Sequence, residues 1–551
     1  MEYSRLTELY DKLEVISSRL EMTDLISDFI SQVREEELTT ILLFIRGQVF
    51  PAWSTIELGI ADKLMFKALS TVSGVNEDKI GDILREKGDV GLVAEEILVS
   101  KQQTTLFNET LTVEKISENL RKLASLTGKG SQDKKLAYIT ELLTNATPRE
   151  SRYVVRLILG QLRLGVGDGI VRDAIAKAFD VKPELVERAY NLRSDLGEVA
   201  KIARDDGNNG LENVSLTPGQ PVRVMLAQKT DSIESAIKDM GVCAFEVKYD
   251  GARLQIHKYD DTVELYTRRL ENVTRQFPEM VEASRKNINA GSCIIEGEVV
   301  AIKVDEGRKP LPFQYLSRRI KRKYNIPEIV KEIPVELNLF DLLYLDGEDK
   351  LAEKFSERRR MLAEIISETN AYILSESLVT DDIKRAEEFY KKSLDMGHEG
   401  VMVKNLDAPY KPGSRVGYMY KIKPVMESLD LVITGATWGE GRRASWLGSY
   451  LLSVYDNESG QFMEIGRMAT GLSDQQLEEM TGVLKPTIVR QSGKEVVLNP
   501  SIVVEVAYEE IQKSPTYTSG YALRFPRLVR IREDKGVEEA DTLSRVEGLL
   551  N

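Results

Sequence analysis

The spacing of apolar residues changes near residue 215, and this change limits the folds open to the chain. Residues 1–215 carry apolar side chains at helical spacing. The turn-rich stretches 205–210 and 217–221 follow, and beyond them apolar residues alternate as in strands, beginning with Phe245 and Val247. At about 150 residues per domain, a chain of 551 residues suggests three or four domains. The sequence therefore predicts a multidomain protein in which an all-α part precedes parts rich in β structure.

The first 215 residues predict a helical domain. Six apolar residues at the start have the spacing of one helical face: Leu6, Leu9, Tyr10, Leu13, Ile16 and Leu20. Thr147-Pro-Arg-Glu150 is a capping box with proline at the first helical position, so a helix should run from Pro148 towards Leu162. The glycine-rich residues 163–169 then separate two helices. Such a turn either offers backbone N–H groups to phosphates or only packs, and the sequence leaves both interpretations open.

Residues 216–426 predict an α+β domain, and residues 427–551 predict a small β-barrel. The middle region has strand patterns at 294–302 and 335–345, and helix patterns at 352–369 and 381–396. After residue 427, short strand patterns recur and are interrupted by one helical stretch at 473–484. Five or so strands and one helix in about 125 residues favour a barrel of the OB kind.

Composition excludes several classes of protein. Two cysteines and two histidines cannot form a disulfide framework or a four-cysteine zinc site. No apolar run approaches the roughly 18 residues of a membrane helix, and the N-terminal segment is unlike a signal peptide, so we expect a cytoplasmic protein with no membrane partner. The net charge is −13, from 75 Lys and Arg against 88 Asp and Glu. Basic clusters at 317–323 and 524–535 keep nucleic acid open as a partner, with a solvated face or salt-bridge network as the alternative.

One segment, Glu246-Val-Lys-Tyr-Asp-Gly-Ala-Arg253, places an amine at a tight turn after an apolar strand. Such a lysine could act as a nucleophile. Average composition produces Lys-x-Asp-Gly by chance in roughly one chain of this length in ten. Taken alone, a plain hairpin turn is therefore the simpler interpretation.

Further motifs follow this segment in order, and together they are far more specific. They occupy residues 266–269, 295–301, 340–347, 399–404, 410–415, 421–423 and 524–527. With the glycine turn near Arg163, this set resembles the ATP-dependent DNA ligases of the archaeal and eukaryotic replicative type, over nearly the whole chain. The resemblance implies a helical DNA-binding domain (1–215), an adenylation (nucleotidyltransferase) domain (216–426) and an OB-fold domain (427–551).

By this resemblance, Lys248 is the nucleophile that takes AMP from ATP. With a reference pKa near 10.4, only roughly one lysine amine in 2,500 is neutral at pH 7. Lowering the pKa by about three units costs about 4 kcal/mol, which nearby cations must supply. Lys421, Lys423 and a bound Mg²⁺, with Mn²⁺ as an alternative, are the expected sources.

The resemblance also assigns roles around the nucleotide. Glu246 matches the position that recognises adenine, and Phe340 matches the aromatic residue that packs on it. Arg253 and Arg268 match contacts to the ribose and the 5′-phosphate end, and Arg415 matches another nucleotide contact.

Acidic and C-terminal positions complete the expected site. Glu298 and Glu399 match the acids that hold the metal. Asp250 matches a position used in nick sealing, although it could simply form the turn with its neighbouring glycine. Arg524 and Arg527 match a mobile element that aligns pyrophosphate during lysine adenylation.

We therefore expect a monomeric enzyme that seals nicks in double-stranded DNA during replication, repair and recombination. Residues 101–107 loosely resemble a peptide that docks on a sliding clamp, with Gln103 and Phe107 as its matching positions, although an exposed loop explains them equally well. An RNA ligase, a capping-type nucleotidyltransferase and a catalytically dead DNA-binding scaffold are the alternatives. The zinc-finger cysteines of NAD-dependent bacterial ligases are absent.

Overall fold

The computed structural model divides the chain into two compact units, Met1–Lys423 and Pro424–Asn551. The residues that it describes are 1–99, 101, 109–128, 130–230, 232–304, 307–322, 324–424, 426–439, 443–469 and 472–550. Across these ranges, no helix combines the length and the apolar character that crossing a bilayer requires.

The first unit begins with α-helices packed around a continuous apolar core. In chain order, α1–α12 are Tyr3–Val15, Arg19–Ser31, Glu35–Ile45, Asp62–Ser73, Glu77–Lys87, Val90–Ile97, Val113–Ser125, Ser131–Asn145, Pro148–Ile158, Asp168–Ala178, Pro183–Arg193 and Leu196–Glu212. Their inward faces share one buried cluster, as the helical periodicity predicts. The helical character expected for the first 215 residues is confirmed.

The prediction that the first six apolar residues share one helical face is wrong at its end. Helix α1 stops at Val15, and Ile16 is extended. Ser18 then caps α2, because its hydroxyl accepts a hydrogen bond from the Glu21 amide at 3.4 Å. Leu20 consequently lies on a new helix with 79% of its side chain exposed.

Two other helix boundaries differ from expectation. Helix α9 begins with the predicted capping box, in which Thr147 and Glu150 bond each other's backbone amides, but it ends at Ile158 and does not reach Leu162. The turn predicted at 205–210 lies inside α12, which is interrupted only at Gly207 with φ 59° and ψ −145°. A glycine at this kink tolerates the positive φ.

The remainder of the first unit is α+β. Strands β1–β12 are Gln228–Lys229, Cys243–Lys248, Ala252–Tyr259, Thr262–Thr267, Ser292–Lys303, Lys309–Pro310, Val335–Leu345, Glu348–Asp349, Tyr372–Leu374, Ser377–Thr380, Gly400–Asn405 and Met419–Ile422. Helices α13–α18 are Ile233–Met240, Pro278–Asn287, Phe313–Ile320, Ile326–Glu332, Phe355–Ile365 and Ile383–Asp395. The strands predicted at 294–302 and 335–345 and the helix predicted at 381–396 are confirmed, whereas the helix predicted at 352–369 is shorter and covers only Phe355–Ile365.

Two sheets position the candidate site. One has the order β1-β12-β11-β2-β10, and the other has the order β4-β3-β5-β7-β8 with β6 beside β5 and β9 beside β7. On β2, Phe245 and Val247 join an apolar cluster with residues of α13 and α18. Because side chains alternate along a strand, Glu246 and Lys248 lie on the opposite, polar face. The second sheet likewise buries Leu254 of β3 against its own helices.

The second unit is a β domain with helices α19 (Asp474–Leu484) and α20 (Leu543–Gly548). Strands β13–β21 are Leu429–Trp438, Leu447–Asp456, Gln461–Met468, Ile488–Ser492, Glu495–Leu498, Val503–Ala507, Glu510–Lys513, Tyr521–Arg524 and Arg527–Ile531. The sheet path is β15-β14-β13-β17-β16, and β18 pairs with both β13 and β21. Strand β13 pairs with β18 up to Val432 and with β17 from Gly435, and its register against β14 shifts between Ile433 and Gly435, an irregularity of the kind that bends a sheet. The expected C-terminal β domain is confirmed.

Candidate active site

Lys248 and Glu399 meet at the ends of two neighbouring strands. Lys248 is the last residue of β2, and Glu399 immediately precedes β11. The Lys248 ammonium pairs with Glu399 Oε2, and Lys423 Nζ lies 2.7 Å from the same oxygen. The side chains of Lys248 and Glu399 are 20% and 16% exposed. The sequence-predicted nucleophile, one predicted metal ligand and one predicted cation are therefore brought together, in a place that a ligand can reach.

The local backbone explains why glycine follows Glu399. Gly400 has a φ of +136°, and a Cβ added to it would lie 2.2 Å from the carbonyl oxygen of Ile422. Only glycine allows β11 to approach β12 so closely. The Gly400 carbonyl also accepts a hydrogen bond from Ser393 Oγ at 2.6 Å. The direction in which Glu399 enters the site is thus set by a constrained turn.

The two candidate metal ligands have opposite electrostatics. Burial alone would raise the pKa of Glu399, but Lys248 and Lys423 outweigh it and hold this pKa at about 2. Burial raises the pKa of Glu298 to about 7; Lys248 and Arg253 oppose the shift, and repulsion from Glu399 adds to it. Glu298 therefore carries an incompletely balanced carboxylate beside an amine, an environment that would favour a bound cation.

Asp250 is held by a helix. Its Oδ2 accepts a hydrogen bond from the backbone amide of Phe313, the first residue of α15, at 3.2 Å. The neighbouring Gly251 lies against β5, where a Cβ would be 2.4 Å from the Val299 carbonyl oxygen. The hairpin turn after Lys248 is therefore fixed to α15 on one side and to β5 on the other, while the catalytic role of Asp250 stays a prediction.

Glu246 and Phe340 lie close to a buried lysine. Glu246 is 2% exposed, and one of its oxygens lies 2.6 Å from Lys404 Nζ. Its other oxygen, Oε1, lies 3.7 Å from Arg359 Nε and has no hydrogen-bond partner among the described residues. Lys404 Nζ lies 4.5 Å from the centre of the Phe340 ring. A buried, unsatisfied acceptor beside an aromatic ring suits a planar ligand that carries an amine.

Arg253 is anchored by protein groups. Its guanidinium pairs with Glu296, with Nε 3.2 Å from Oε1. It also donates to the Met225 carbonyl at 3.2 Å and to the Tyr410 hydroxyl at 3.2 Å. Its guanidinium carbon lies 5.3 Å from the centre of the Phe340 ring. Arg253 and Phe340, two of the residues predicted to contact the nucleoside, therefore adjoin each other.

Sequence reasoning gave no role to several residues in this network: Glu296, Arg359, Lys404 and Tyr410. Three of them lie within motifs already noted in the sequence, at 295–301, 399–404 and 410–415, and Arg359 lies within the helix pattern at 352–369. A signal was present, because charged residues inside apolar strands such as β5 and β11 are rarely buried without a partner. The partners themselves depend on strand register, which the local pattern does not give.

The other predicted nucleotide contacts are distributed around the sheets. Arg268 follows β4 and is exposed, and Arg415 is exposed in the segment before β12. Lys421 lies within β12, opposite Met402 of β11 in the strand register. Among the described residues, Lys248 has its hydrogen bond and ion pair with Glu399 and none with Arg268 or Arg415, so the roles of these two arginines stay predictions.

Arg524 and Arg527 belong to the second unit. Arg524 ends β20, and its Nη1 lies 3.0 Å from Glu510 Oε2. Arg527 begins β21 and is exposed. Their predicted part in pyrophosphate alignment stays a prediction.

The basic cluster at 317–323 is partly structural. Arg319 is fully buried, donates to the carbonyls of Gln276 and Ile333 at 3.0 and 2.8 Å, and pairs with Glu279. For this residue the salt-bridge alternative is confirmed. The clamp-like peptide from Gln103 to Phe107 lies outside the described residues.

Comparison with protein families gives matches along most of the chain. The model for the DNA ligase N terminus matches residues 2–176. The ATP dependent DNA ligase domain matches residues 224–423, and the ATP dependent DNA ligase C terminal region matches residues 443–535. The middle match contains Lys248 and Glu399 with every residue placed around them above.

Individual relatives extend this likeness over full length. The chain is 49% identical to a DNA ligase of Thermococcus onnurineus over 547 residues, which cover 99% of this chain and 97% of the relative. It is 47% identical to a DNA ligase of Archaeoglobus fulgidus over 550 residues, which cover 100% and 98%. Among solved structures, Pmar-Lig_PreS3 has a TM-score of 0.57 at 19% identity, covering 96% of this chain and 99% of that chain, which supports the fold alone.

Proposed function

Because this chain belongs to the ATP-dependent DNA ligases, we propose that Lys248 is the nucleophile with which it takes an adenylyl group from ATP. The enzyme seals nicks in duplex DNA by joining 3′-hydroxyl and 5′-phosphate ends. These relatives do not favour an RNA ligase, a capping-type nucleotidyltransferase or a dead scaffold.

In the proposed first step, Lys248 Nζ attacks the α-phosphorus of ATP. A nitrogen–phosphorus bond forms, and the bond from phosphorus to the bridging oxygen breaks with release of pyrophosphate. AMP then passes to the 5′-phosphate at the nick, and the 3′-hydroxyl displaces it to restore the phosphodiester. Positioning and charge neutralisation dominate such transfers.

The observation that carries the assignment is the meeting of Lys248, Glu399 and Lys423 at the ends of β2, β11 and β12. A lysine that serves only in a hairpin turn needs no second lysine on the same carboxylate. Lys423 would remain beside Glu399 when the Lys248 amine leaves to attack. The phosphates would then meet a positive charge that is already in place.

The neighbouring residues supply a nucleoside pocket in this proposal. Glu246 Oε1 would accept a hydrogen bond from the adenine amine, and Phe340 would pack on the base. Arg253 would contact the ribose. Arg268 would bind the 5′-phosphate end, and Arg415 would make a further nucleotide contact. Lys421 would join Lys423 in neutralising the phosphates.

Glu298 and Glu399 fit a divalent cation. Among the described residues, no group of three or more His, Cys, Asp or Glu side chains could hold a metal ion. Mg²⁺ suits the pair nevertheless, since it retains several waters and needs only one or two carboxylates, and Mn²⁺ would use the same oxygens. The pKa of Glu298, raised first by burial and also by repulsion from Glu399, fits this assignment, because a bound cation would favour the charged form of this carboxyl. A bound cation would neutralise charge on the triphosphate.

The second unit has a role of its own in the proposal. Its bent sheet and helix α19 are consistent with an OB fold, in which Arg524 and Arg527 would align pyrophosphate during lysine adenylation. The enzyme would act as a monomer on nicked DNA, and the segment from Gln103 to Phe107 would dock on a sliding clamp.

Incubation with α-labelled ATP and a divalent cation, followed by denaturation and peptide mapping, tests the assignment. We expect covalent AMP on Lys248 and no label in Lys248→Ala or Lys248→Arg. Lys391→Ala is the matched control, because Lys391 is an exposed lysine of α18 in the same unit. Label on another residue, or an unlabelled wild-type enzyme, would refute the mechanism.

A further inference from the structure

Tyr410 lies at the centre of the hydrogen bonds that hold Arg253. The tyrosine is 3% exposed, and burial, followed by the charge of Glu296, raises the pKa of its hydroxyl well above the usual value of 10.0. The hydroxyl therefore keeps its proton at neutral pH. It donates that proton to Glu296 Oε2 at 2.9 Å.

The same oxygen accepts two hydrogen bonds, from the Met225 amide at 2.9 Å and from Arg253 Nη2 at 3.2 Å. A tyrosine hydroxyl has one donor and two acceptor positions, so its capacity is filled. The tyrosine therefore fixes three partners relative to one another.

The ring of Tyr410 is itself fixed. The guanidinium carbon of Arg358 lies 5.7 Å from the ring centre, and Arg358 is held in turn by Asp341 at 2.7 Å. The Tyr410 backbone amide donates to the Leu351 carbonyl at 2.8 Å. A hydroxyl on a ring constrained in this way gives the Arg253 guanidinium an acceptor in a fixed position.

Met225 connects this network to the helical region of the same unit. Its amide bonds to Tyr410 and its carbonyl accepts from Arg253. Two residues earlier, the Arg223 amide donates to the carbonyl of Asn191 in α11 at 2.9 Å. The Arg253 guanidinium is therefore hydrogen-bonded to a backbone segment that is itself held by Tyr410 and, two residues earlier, by α11.

We infer that Tyr410 is a positioning residue for nucleotide binding, whose hydroxyl holds the Arg253 guanidinium and the Glu296 carboxylate in the orientation that presents Arg253 to the ribose. The inference rests on the proposed function, because it takes Arg253 to contact the sugar. Tyr410 itself touches neither the nucleotide nor Lys248 in this assignment. Its effect is on ribose recognition, through Arg253.

The test compares Tyr410→Phe with the wild-type full chain, using the rate of Lys248 labelling at increasing concentrations of ATP, 2′-deoxy-ATP and 3′-deoxy-ATP. We expect the wild-type enzyme to favour ATP over at least one deoxy analogue. In Tyr410→Phe, the half-saturating ATP concentration should rise about tenfold, as loss of a hydrogen bond to a charged group implies. The preference for ATP should shrink by a similar factor, with a smaller change in the maximal rate.

Tyr372→Phe is the matched control. Tyr372 is also fully buried, and its hydroxyl lies 3.2 Å from Ser284 Oγ. Its ATP dependence and its preference for ATP should equal those of the wild-type enzyme. A purely structural role for Tyr410 would lower the amount of active enzyme equally for all three nucleotides, and that result would overturn the inference.

A second measurement locates the effect in Arg253. In an Arg253→Ala background, Tyr410→Phe should add little, because its target is gone. If Tyr410→Phe does not fold, Glu296→Gln tests the same contact from the partner side and should lose the preference for ATP. If the folded variant that is tested, Tyr410→Phe or Glu296→Gln, prefers ATP over the deoxy analogues as strongly as the wild-type enzyme does, the inference is refuted.

The experiments distinguish failure of the positioning role of Tyr410 from failure of the proposed function. A wild-type enzyme that labels Lys248 but uses all three nucleotides alike would refute the positioning role and leave the nucleophile in place. A wild-type enzyme without any label on Lys248 would refute the proposed function itself.

Discussion

Lys248 and Glu399 are joined twice, through their side chains and through a hydrogen bond from the Glu399 amide to the Lys248 carbonyl at 2.9 Å. The backbone bond fixes the spacing between β2 and β11, and the side-chain pair places the amine at one carboxylate. Attack on phosphorus requires the amine to leave that carboxylate. Lys423 shares the same oxygen and can remain beside it.

Glu399→Gln should slow lysine adenylation by about two orders of magnitude, a typical loss when a preorganised charge is removed from an active site. The glutamine keeps the shape but no longer anchors Lys248 and Lys423 by charge. The measurement is the single-turnover rate of Lys248 labelling. Glu376→Gln is the control, since Glu376 pairs with Lys392 while 43% exposed and should behave as the wild-type enzyme does. A wild-type rate in Glu399→Gln would contradict the role assigned to it.

Glu246→Gln should reduce the preference for ATP over inosine triphosphate, which lacks the adenine amine. Glu246 Oε1 has no hydrogen-bond partner among the described residues, so it is available to that amine. The ratio of labelling efficiencies for the two nucleotides should fall by about tenfold, which corresponds to one hydrogen bond with a charged acceptor. If the ratio in Glu246→Gln equals that of the wild-type enzyme, adenine is recognised by another group.

Gly400→Ala should destabilise the first unit by at least about 2 kcal/mol, because the added methyl meets the Ile422 carbonyl and the positive φ disfavours alanine. Gly482→Ala is the control. It lies within helix α19, where the added Cβ would meet no atom within 4 Å apart from its chain neighbours and the backbone of its own helix. That variant should be neutral or stabilised by up to about 1 kcal/mol. Thermal unfolding of both variants, together with Lys248 labelling, tests these expectations. If Gly400→Ala is as stable as Gly482→Ala, β11 can shift to accommodate the added methyl group.

The sequence predicted the placement of Lys248 because that placement depends on local pattern. Alternating apolar residues define β2, and Asp250 and Gly251 end it. The same reasoning failed at Leu20, where a polar capping residue, Ser18, started a new helix within an unbroken apolar periodicity. Short caps can therefore override a periodicity that continues across them.

The polar network could not be predicted in the same way. Lys404 and Glu246 pair because β11 and β2 are antiparallel neighbours in a register that brings Met402 opposite Glu246. A shift of one residue would place Lys404 on the other face. That register is set by packing of the whole sheet, so the sequence contained charged residues within apolar strands but did not indicate which of them would pair. Tyr410 is a similar case, since its partners come from three distant segments.

Asp341→Asn should lower the free energy of unfolding by about 3 kcal/mol at pH 7, because it leaves the buried Arg358 without its partner. Asp341 and Arg358 are 4% and 1% exposed and lie 2.7 Å apart. Asp407→Asn is a matched control: Asp407 also lies 2.7 Å from its partner, Lys354, but both are largely exposed, so the loss should stay below about 1 kcal/mol.

The pH dependence of the stability lost in Asp341→Asn shows whether the charge of Asp341 causes that loss. Burial raises the pKa of Asp341, but Arg358 outweighs it and holds the pKa below its usual value. A carboxyl with a lowered pKa contributes stability that is fully present above its unfolded pKa of about 4 and is lost as the pH falls through the folded value. Urea unfolding at stepped pH should therefore show the gap between wild type and Asp341→Asn narrowing below about pH 4. If the difference in unfolding free energy between the wild type and Asp341→Asn stays constant below about pH 4, altered packing and not the lost charge destabilises the variant.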